Sequence, residues 1–240
     1  MFAFAPFFES PTIPMMAKAG LSLFVTVVLF PMASSHFEIS IPHQFFPYSL
    51  LVIQEVIIGL IIGVLCTIML TAFSLSGELY SFQMGLGIIN VFDPLSEREV
   101  PIIGQFVGLI ALLIFITWGG HHMLLEAIYK SFKVLPILPL KAVNSLASSV
   151  VDIFSKMFLV AFMIGSPIIG VLFIITMVMG ILAKATPQMN VMMVGWPIQI
   201  VVGIITLILL LPLLYDATIS IFNSLFNNID TIIRNIGGIK

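Results

Sequence analysis

The feature that most constrains this chain is a succession of apolar runs, each long enough to cross a bilayer as a helix. A hydrocarbon core of about 30 Å takes roughly 20 helical residues. Leu50 to Thr71 is apolar except for Gln54 and Glu55, and Val100 to Leu125 has no acidic or basic residue. Asp152 to Met179 and Gly195 to Leu211 are two further strong runs, while Ala19 to Met32 reaches Pro31 quickly and spans only marginally. Helices of this kind cannot be the interior of a soluble domain here, because only 8% of the 240 residues are charged and 60% are hydrophobic. Soluble domains carry about 25% charged residues, and a mean hydropathy of +1.21 leaves no material for a water-facing surface. The expected fold class is therefore all-α: an integral membrane protein of about five or six helices, some kinked or broken.

The interruptions are as informative as the runs. Gly59 and Gly63 are spaced as small residues that let another helix approach closely. Beyond Ser76-Gly77-Glu78, regular structure should break at Gly85, Gly87, Asn90 and Asp93-Pro94. Gly119-Gly120-His121-His122 interrupts the second run, and Met123 to Lys133 reads as a short amphipathic helix. Pro136, Pro139 and the polar stretch Asn144 to Ser149 mark a turn and the most soluble part of the chain. Pro167 should kink the third span, since proline removes a backbone donor and clashes one turn back. Lys184 to Gln188 forms a polar hinge. From 217 to 236, Phe222, Leu225, Phe226, Ile229, Ile232, Ile233 and Ile236 recur at helical spacing, predicting an amphipathic C-terminal helix that Gly237 ends. No internal repeat separates domains, so residues 1–240 read as one helical membrane domain. Met1 to Phe8 lacks the positive start of a signal peptide and is expected to belong to the mature protein.

Charge and residue type exclude several function classes. A net charge of -2 offers no basic excess for phosphates, so nucleic acid is not an expected partner. Cys66 is the single cysteine, which rules out an internal disulfide and a thiolate cluster. His122 and Glu126 share a helix face beside His121, yet they lack the two-histidine spacing of a zinc hydrolase and a third ligand. The bland reading is that His121 and Glu126 satisfy one another or nearby backbone. Gly85-Leu86-Gly87 is followed by no third glycine at nucleotide-binding spacing. No catalytic residue, metal or cofactor is expected. Glu55 and Glu78 flank an apolar stretch, where a carboxylate suggests an interfacial position, an ion path or a partner.

The segment from Gln83 to Pro101 is the most suggestive. Glycines, Met84, the apolar Ile88, Ile89, Val91 and Phe92, and then Asp93-Pro94 share one irregular stretch, followed by the charges Glu97, Arg98 and Glu99. Irregular backbone at membrane depth persists only where protein or a water-filled cavity satisfies its amides, which points to a plug or gate. An ordinary surface connection is the alternative that physics alone leaves open.

Taken together, Ser76-Gly77-Glu78, Gln83-Met84-Gly85-Leu86, Asp93-Pro94, Val100-Pro101 and Gly104-Gln105-Phe106 resemble the FliR family of flagellar export-gate subunits. Gly120-His121, Ser131-Phe132, Leu135-Pro136, Pro187-Gln188, Asn190, Gly195, Pro197 and Gly203 extend the resemblance, which runs from about Phe4 to the C-terminus. It departs at Gly119, where the family often has Asn, and family members carry another helix ahead of the position matching Met1.

The resemblance implies a subunit without catalysis in the bacterial inner membrane at the flagellar basal body. It implies a build like a FliP unit joined to a FliQ unit, and assembly with FliP and FliQ into a pore, with FlhB and FlhA as neighbours. Unfolded flagellar subunits would be the cargo. The plug would comprise Met84, Gly85, Leu86, Gly87, Ile88, Ile89, Asn90, Phe92, Asp93 and Pro94, with Glu78, Gln83, His121, Pro187, Gln188, Asn190, Gly195 and Pro197 as structural motif residues. Injectisome gate subunits share the family. Two readings from other classes compete: a monomeric secondary transporter, suggested by broken helices at Pro167 and Pro187, and an intramembrane hydrolase using His121, His122 or Glu126 with Asp152 or Asp216.

Overall fold

Apolar side chains around the whole circumference of a segment favour a helix that satisfies its own backbone, since neither lipid nor a neighbouring apolar helix can do so. A computed structural model describes Ala5 and residues 13–34, 44–86, 101–134, 142–188 and 190–237, and the regular structure among them is helical throughout. The helices are α1 (Met15–Ser34), α2 (Phe45–Gln83), α3 (Ile102–Thr117), α4 (Gly120–Val134), α5 (Ala142–Ala185) and α6 (Val191–Gly237). Three are long and apolar enough to cross a membrane: Phe45–Gln83, Leu146–Ala185 and Met193–Arg234. The α3–α4 pair, bent by 66° at its break, qualifies as a fourth, interrupted span. The expected all-α membrane architecture is what the chain adopts.

Several elements run further than their sequences suggest. The helix α1 begins at Met15 and continues past Pro31, where the apolar run alone predicts Ala19 to Met32. The polar stretch Asn144 to Ser149 forms the beginning of α5, which also passes through Pro167 as one 44-residue element. The amphipathic stretch 217–236 is the continuation of α6, a single 47-residue helix containing Pro197 and Pro212. Hydroxyl side chains are compatible with these long helices because they bond back to their own turn. Thr206 Oγ1 donates to Val202 O at 2.8 Å, Thr218 Oγ1 to Leu214 O at 2.6 Å, and Ser155 Oγ to Val151 O at 2.9 Å.

The chain divides into two compact units. The first comprises Met1–Met69, Phe115–Ser155 and Ser220–Lys240. Its core collects Ile62, Leu65, Cys66, Leu124, Ile153, Phe222, Leu225 and Ile229, all buried, and α1 lies against α4. The rings of Phe115 and Phe222 are 4.8 Å apart and tilted, Phe115 and Phe226 are 6.5 Å apart and stacked, and Trp118 lies 6.4 Å from Phe226. These offset and tilted arrangements suit the ring quadrupoles.

The second unit comprises Leu70–Ile114 and Lys156–Ile219. Phe73, Tyr80, Met84, Val107, Ala161 and Leu172 form its interior. Here helices approach closely through small residues. A Cβ placed on Gly77 would stand 2.6 Å from Gly104 Cα, so α2 and α3 meet backbone to backbone. In both units large apolar side chains remain on the outside, Leu209 at 73% exposure and Leu23 at 67% among them. Such a surface fits lipid or apolar partner helices rather than water.

Candidate functional site

The motif residues of the second unit converge on the C-terminal end of α2. Met84 N–H donates to Tyr80 O at 2.9 Å and Gly85 N–H to Phe82 O at 3.1 Å, closing the last turn. Gly85 then takes φ +81°, the left-handed conformation that commonly ends helices and suits glycine because it has no Cβ to clash. Space imposes a second requirement, since a Cβ on Gly85 would stand 2.9 Å from Cδ1 of the Trp196 indole. Met84 itself is buried, and its side chain fills the room that Gly203 leaves: a Cβ on Gly203 would be 3.0 Å from Met84 Cγ and Sδ. The thioether is a flexible filler for such a gap. Met84 and Gly85 are thereby docked on one stretch of α6 by two complementary fits, methionine over glycine and glycine under tryptophan.

Other motif residues support this arrangement. Ser76 is buried and its hydroxyl donates to Phe73 O at 2.7 Å. Gly104 nests against α2, where its Cβ would meet Ser74 O at 2.8 Å and Glu78 Cγ at 2.9 Å. Glu78 is exposed, and Gln83 further along the same helix is half-buried. Tyr80, 1% exposed, lies 3.7 Å from where Gly165 on α5 would carry a Cβ. Its hydroxyl is buried and has no hydrogen-bond partner among the described residues.

The hinge between α5 and α6 is also built from motif residues. Pro187 and Gln188 are exposed in the turn. Asn190 caps α6: its Oδ1 accepts from Met193 N–H at 3.4 Å while its carbonyl accepts from the same group at 3.1 Å. Gly195 is buried against Met179, and a Cβ there would stand 3.3 Å from the Met179 Cε; Pro197 is exposed. Gln199 Nε2 donates to Thr176 Oγ1 at 3.0 Å, a polar tie between the two apolar helices. Nothing in the sequence pattern singles out Trp196, Gly203 or Gln199 as contacts of these particular partners.

Of the plug residues, Leu86 is half-buried just after Gly85. Gly87, Ile88, Ile89, Asn90, Phe92, Asp93 and Pro94, like the charges Glu97, Arg98 and Glu99, lie outside the described residues.

His121 belongs to the first unit and is exposed at the start of α4, its ring 4.0 Å from that of His122. Of the two partners expected for Glu126, His121 or nearby backbone, the structure shows neither as its ion pair: Glu126 Oε1 pairs with Lys130 Nζ at 3.1 Å. A cation one turn along the same helix face is a better counter-charge than a ring near the helix start. Among the described residues no three His, Cys, Asp or Glu side chains come together as a metal site.

A family described as bacterial export proteins, family 1, matches residues 1–225. The flagellar biosynthetic protein FliR of Bacillus subtilis (strain 168) is 30% identical over 239 residues, covering 98% of this chain and 91% of that protein. FliR of Escherichia coli (strain K12) is 28% identical over 234 residues, covering 97% and 88%. FliR of Aquifex aeolicus (strain VF5) is 28% identical over 192 residues, covering 80% and 73%. With the family matching residues 1–225 and a relative 30% identical that the match covers to 91%, the chain belongs to family 1 of the bacterial export proteins, the FliR family.

Proposed function

We propose that this chain is a core subunit of the flagellar type III protein export gate, assembling without catalysis of its own with FliP and FliQ in the bacterial inner membrane. FlhB and FlhA are the expected neighbours at the flagellar basal body, and unfolded flagellar subunits the cargo. Family membership carries the export assignment. The gating assignment rests on one observation, the double fit of Met84 on Gly203 and Gly85 under Trp196.

That fit supports the gate reading because it gives a pore-closing segment a defined root. Met84, Gly85 and Leu86 make the root, and Gly87, Ile88, Ile89, Asn90, Phe92, Asp93 and Pro94 continue into the closing segment. A root held by close packing alone can be displaced without breaking charged or metal contacts, and apolar side chains beyond it exclude ions when packed.

Co-expression with FliP and FliQ of the same organism, detergent extraction and native mass measurement test the assembly. A stable mixed complex is expected; a folded chain that stays alone would overturn the reading. Reconstituted into vesicles, the complex should hold an ion gradient, and removal of residues 87–93 should collapse it. A deletion as tight as the parent would remove the plug from the proposal while leaving the assembly intact.

A further inference from the structure

Four charges in the first unit form one connected row. Glu126 Oε1 pairs with Lys130 Nζ at 3.1 Å, Lys130 Nζ reaches across to Asp230 Oδ1 on α6 at 3.3 Å, and Asp230 Oδ2 takes Arg234 Nε at 2.8 Å. Asp230 thus spends each oxygen on a different cation, one from each helix, and the row as a whole is neutral. In a chain with 8% charged residues, four of them meeting at one place is a departure from the rest of the sequence.

The packing beneath explains what the row does. The C-terminal part of α6 is held tightly at one end, where Phe222 and Phe226 pack on Phe115. One to two turns further on, where Ile229 and Ile233 are still buried, an opening of about 80 Å³ lies between the two helices, bordered by Met123, Ala127, Phe226, Ile229 and Ile233 and by Glu126, Lys130 and Asp230 themselves. That volume is about the share of two or three waters in the liquid, so α4 and α6 meet along this edge partly through the charged side chains. Ile229 and Ile233 also border a second, apolar recess of about 20 Å³.

We infer that the Glu126–Lys130–Asp230–Arg234 row is an ionic clamp that holds residues 229–234 of α6 closed on α4, and that without it this stretch opens more often while Phe222 and Phe226 stay in place. The decisive contact is the cross-helix pair Lys130–Asp230; Glu126 and Arg234 hold the two partners in position from one turn away on their own helices. The clamp is a device of the first unit alone and does not rest on the gate reading.

Charge inversion by halves isolates the cross-helix contact. The pair E126K/K130E keeps an ion pair within α4 but sets Glu against Asp230; the pair D230K/R234E does the same from the α6 side. All four substitutions together restore attraction with inverted sign. Amide hydrogen exchange of the purified full chain in detergent, read on peptides covering 227–237, reports the docking. Each half-inversion should speed exchange there roughly three- to tenfold, since a partly exposed attraction has been turned into repulsion. The fourfold variant should return toward the parent rate, and peptides around Phe222 should not change in any variant. Half-inversions that exchange at the parent rate would overturn the clamp, as would a fourfold variant no slower than the halves. Should the half-inverted chains be degraded before purification, their abundance in membranes takes the place of exchange: recovery in the fourfold variant supports the clamp, and its failure to recover overturns it.

Discussion

The two units solve the same problem, holding apolar helices together where neither lipid nor protein is much preferred, by different means. In the first unit, aromatic rings and an ion-pair row join α6 to its neighbours through side chains that reach outward. In the second, helices are brought together by what is missing, as the Cβ-free contacts at Gly77, Gly104 and Gly203 allow backbone and methionine to close in. Reach tolerates adjustment, because a long side chain can change rotamer. Absence does not, because a new Cβ at a backbone contact has nowhere to go. The second unit should therefore respond to small additions, and the first to large removals.

That contrast can be broken or sharpened by substitution, read as unfolding of the detergent-purified chain in mixed micelles. Phe222→Ala, which removes a fully buried ring packed on Phe115, should destabilise by about 3–5 kcal/mol. Gly77→Ala adds one methyl against Gly104 backbone and should cost about 3 kcal/mol, the upper part of the overpacking range. If Gly77→Ala proved neutral, the backbone contact would not be the organising feature of the second unit. Gly203→Ala meets only the flexible end of Met84 and should cost about 1–2 kcal/mol, with most of it recovered in the double variant carrying Met84→Ala. Gly85→Ala combines a left-handed backbone with the Trp196 contact. It should cost about 1–2 kcal/mol from conformation alone, and only the remainder should be relieved by Trp196→Ala. The smallest effect belongs to Lys130→Met, below about 1 kcal/mol because the pair is partly exposed. A larger loss there would mean the first unit depends on charge more than on its rings.

Much of the architecture is legible in residue order. Gly119, with φ +88°, breaks the α3–α4 pair where the glycine-histidine interruption predicts it, and Gly85 ends α2 where the glycine cluster begins. Chain ends of helices are local events, set by residues within a turn, so sequence carries them. Boundaries inside long helices are less legible: the amphipathic stretch 217–236 reads as a helix of its own, yet it is the continuation of α6. Contacts distant in sequence are not legible at all. Lys130 finds Asp230 and Gly77 finds Gly104 only once the helices have packed, and no periodicity within either segment encodes its partner. The site residues divide along the same line. Met84 and Gly85 stand out by composition, whereas Trp196 and Gly203 acquire meaning only as the surfaces they rest on.

The placement of the two tryptophans gives each unit its own optical label. Trp118 sits beside Phe226 in the first unit and Trp196 sits against Gly85 in the second, and the sequence has no others. With Trp118 replaced by Phe, the emission of the intact protein comes from Trp196 alone. Its colour and its quenching by soluble iodide or by brominated lipid then report whether the end of α2 rests on the indole, without any dye attached to the chain. The converse variant, Trp196→Phe, turns the same cuvette measurement into a readout of the aromatic group around Phe226.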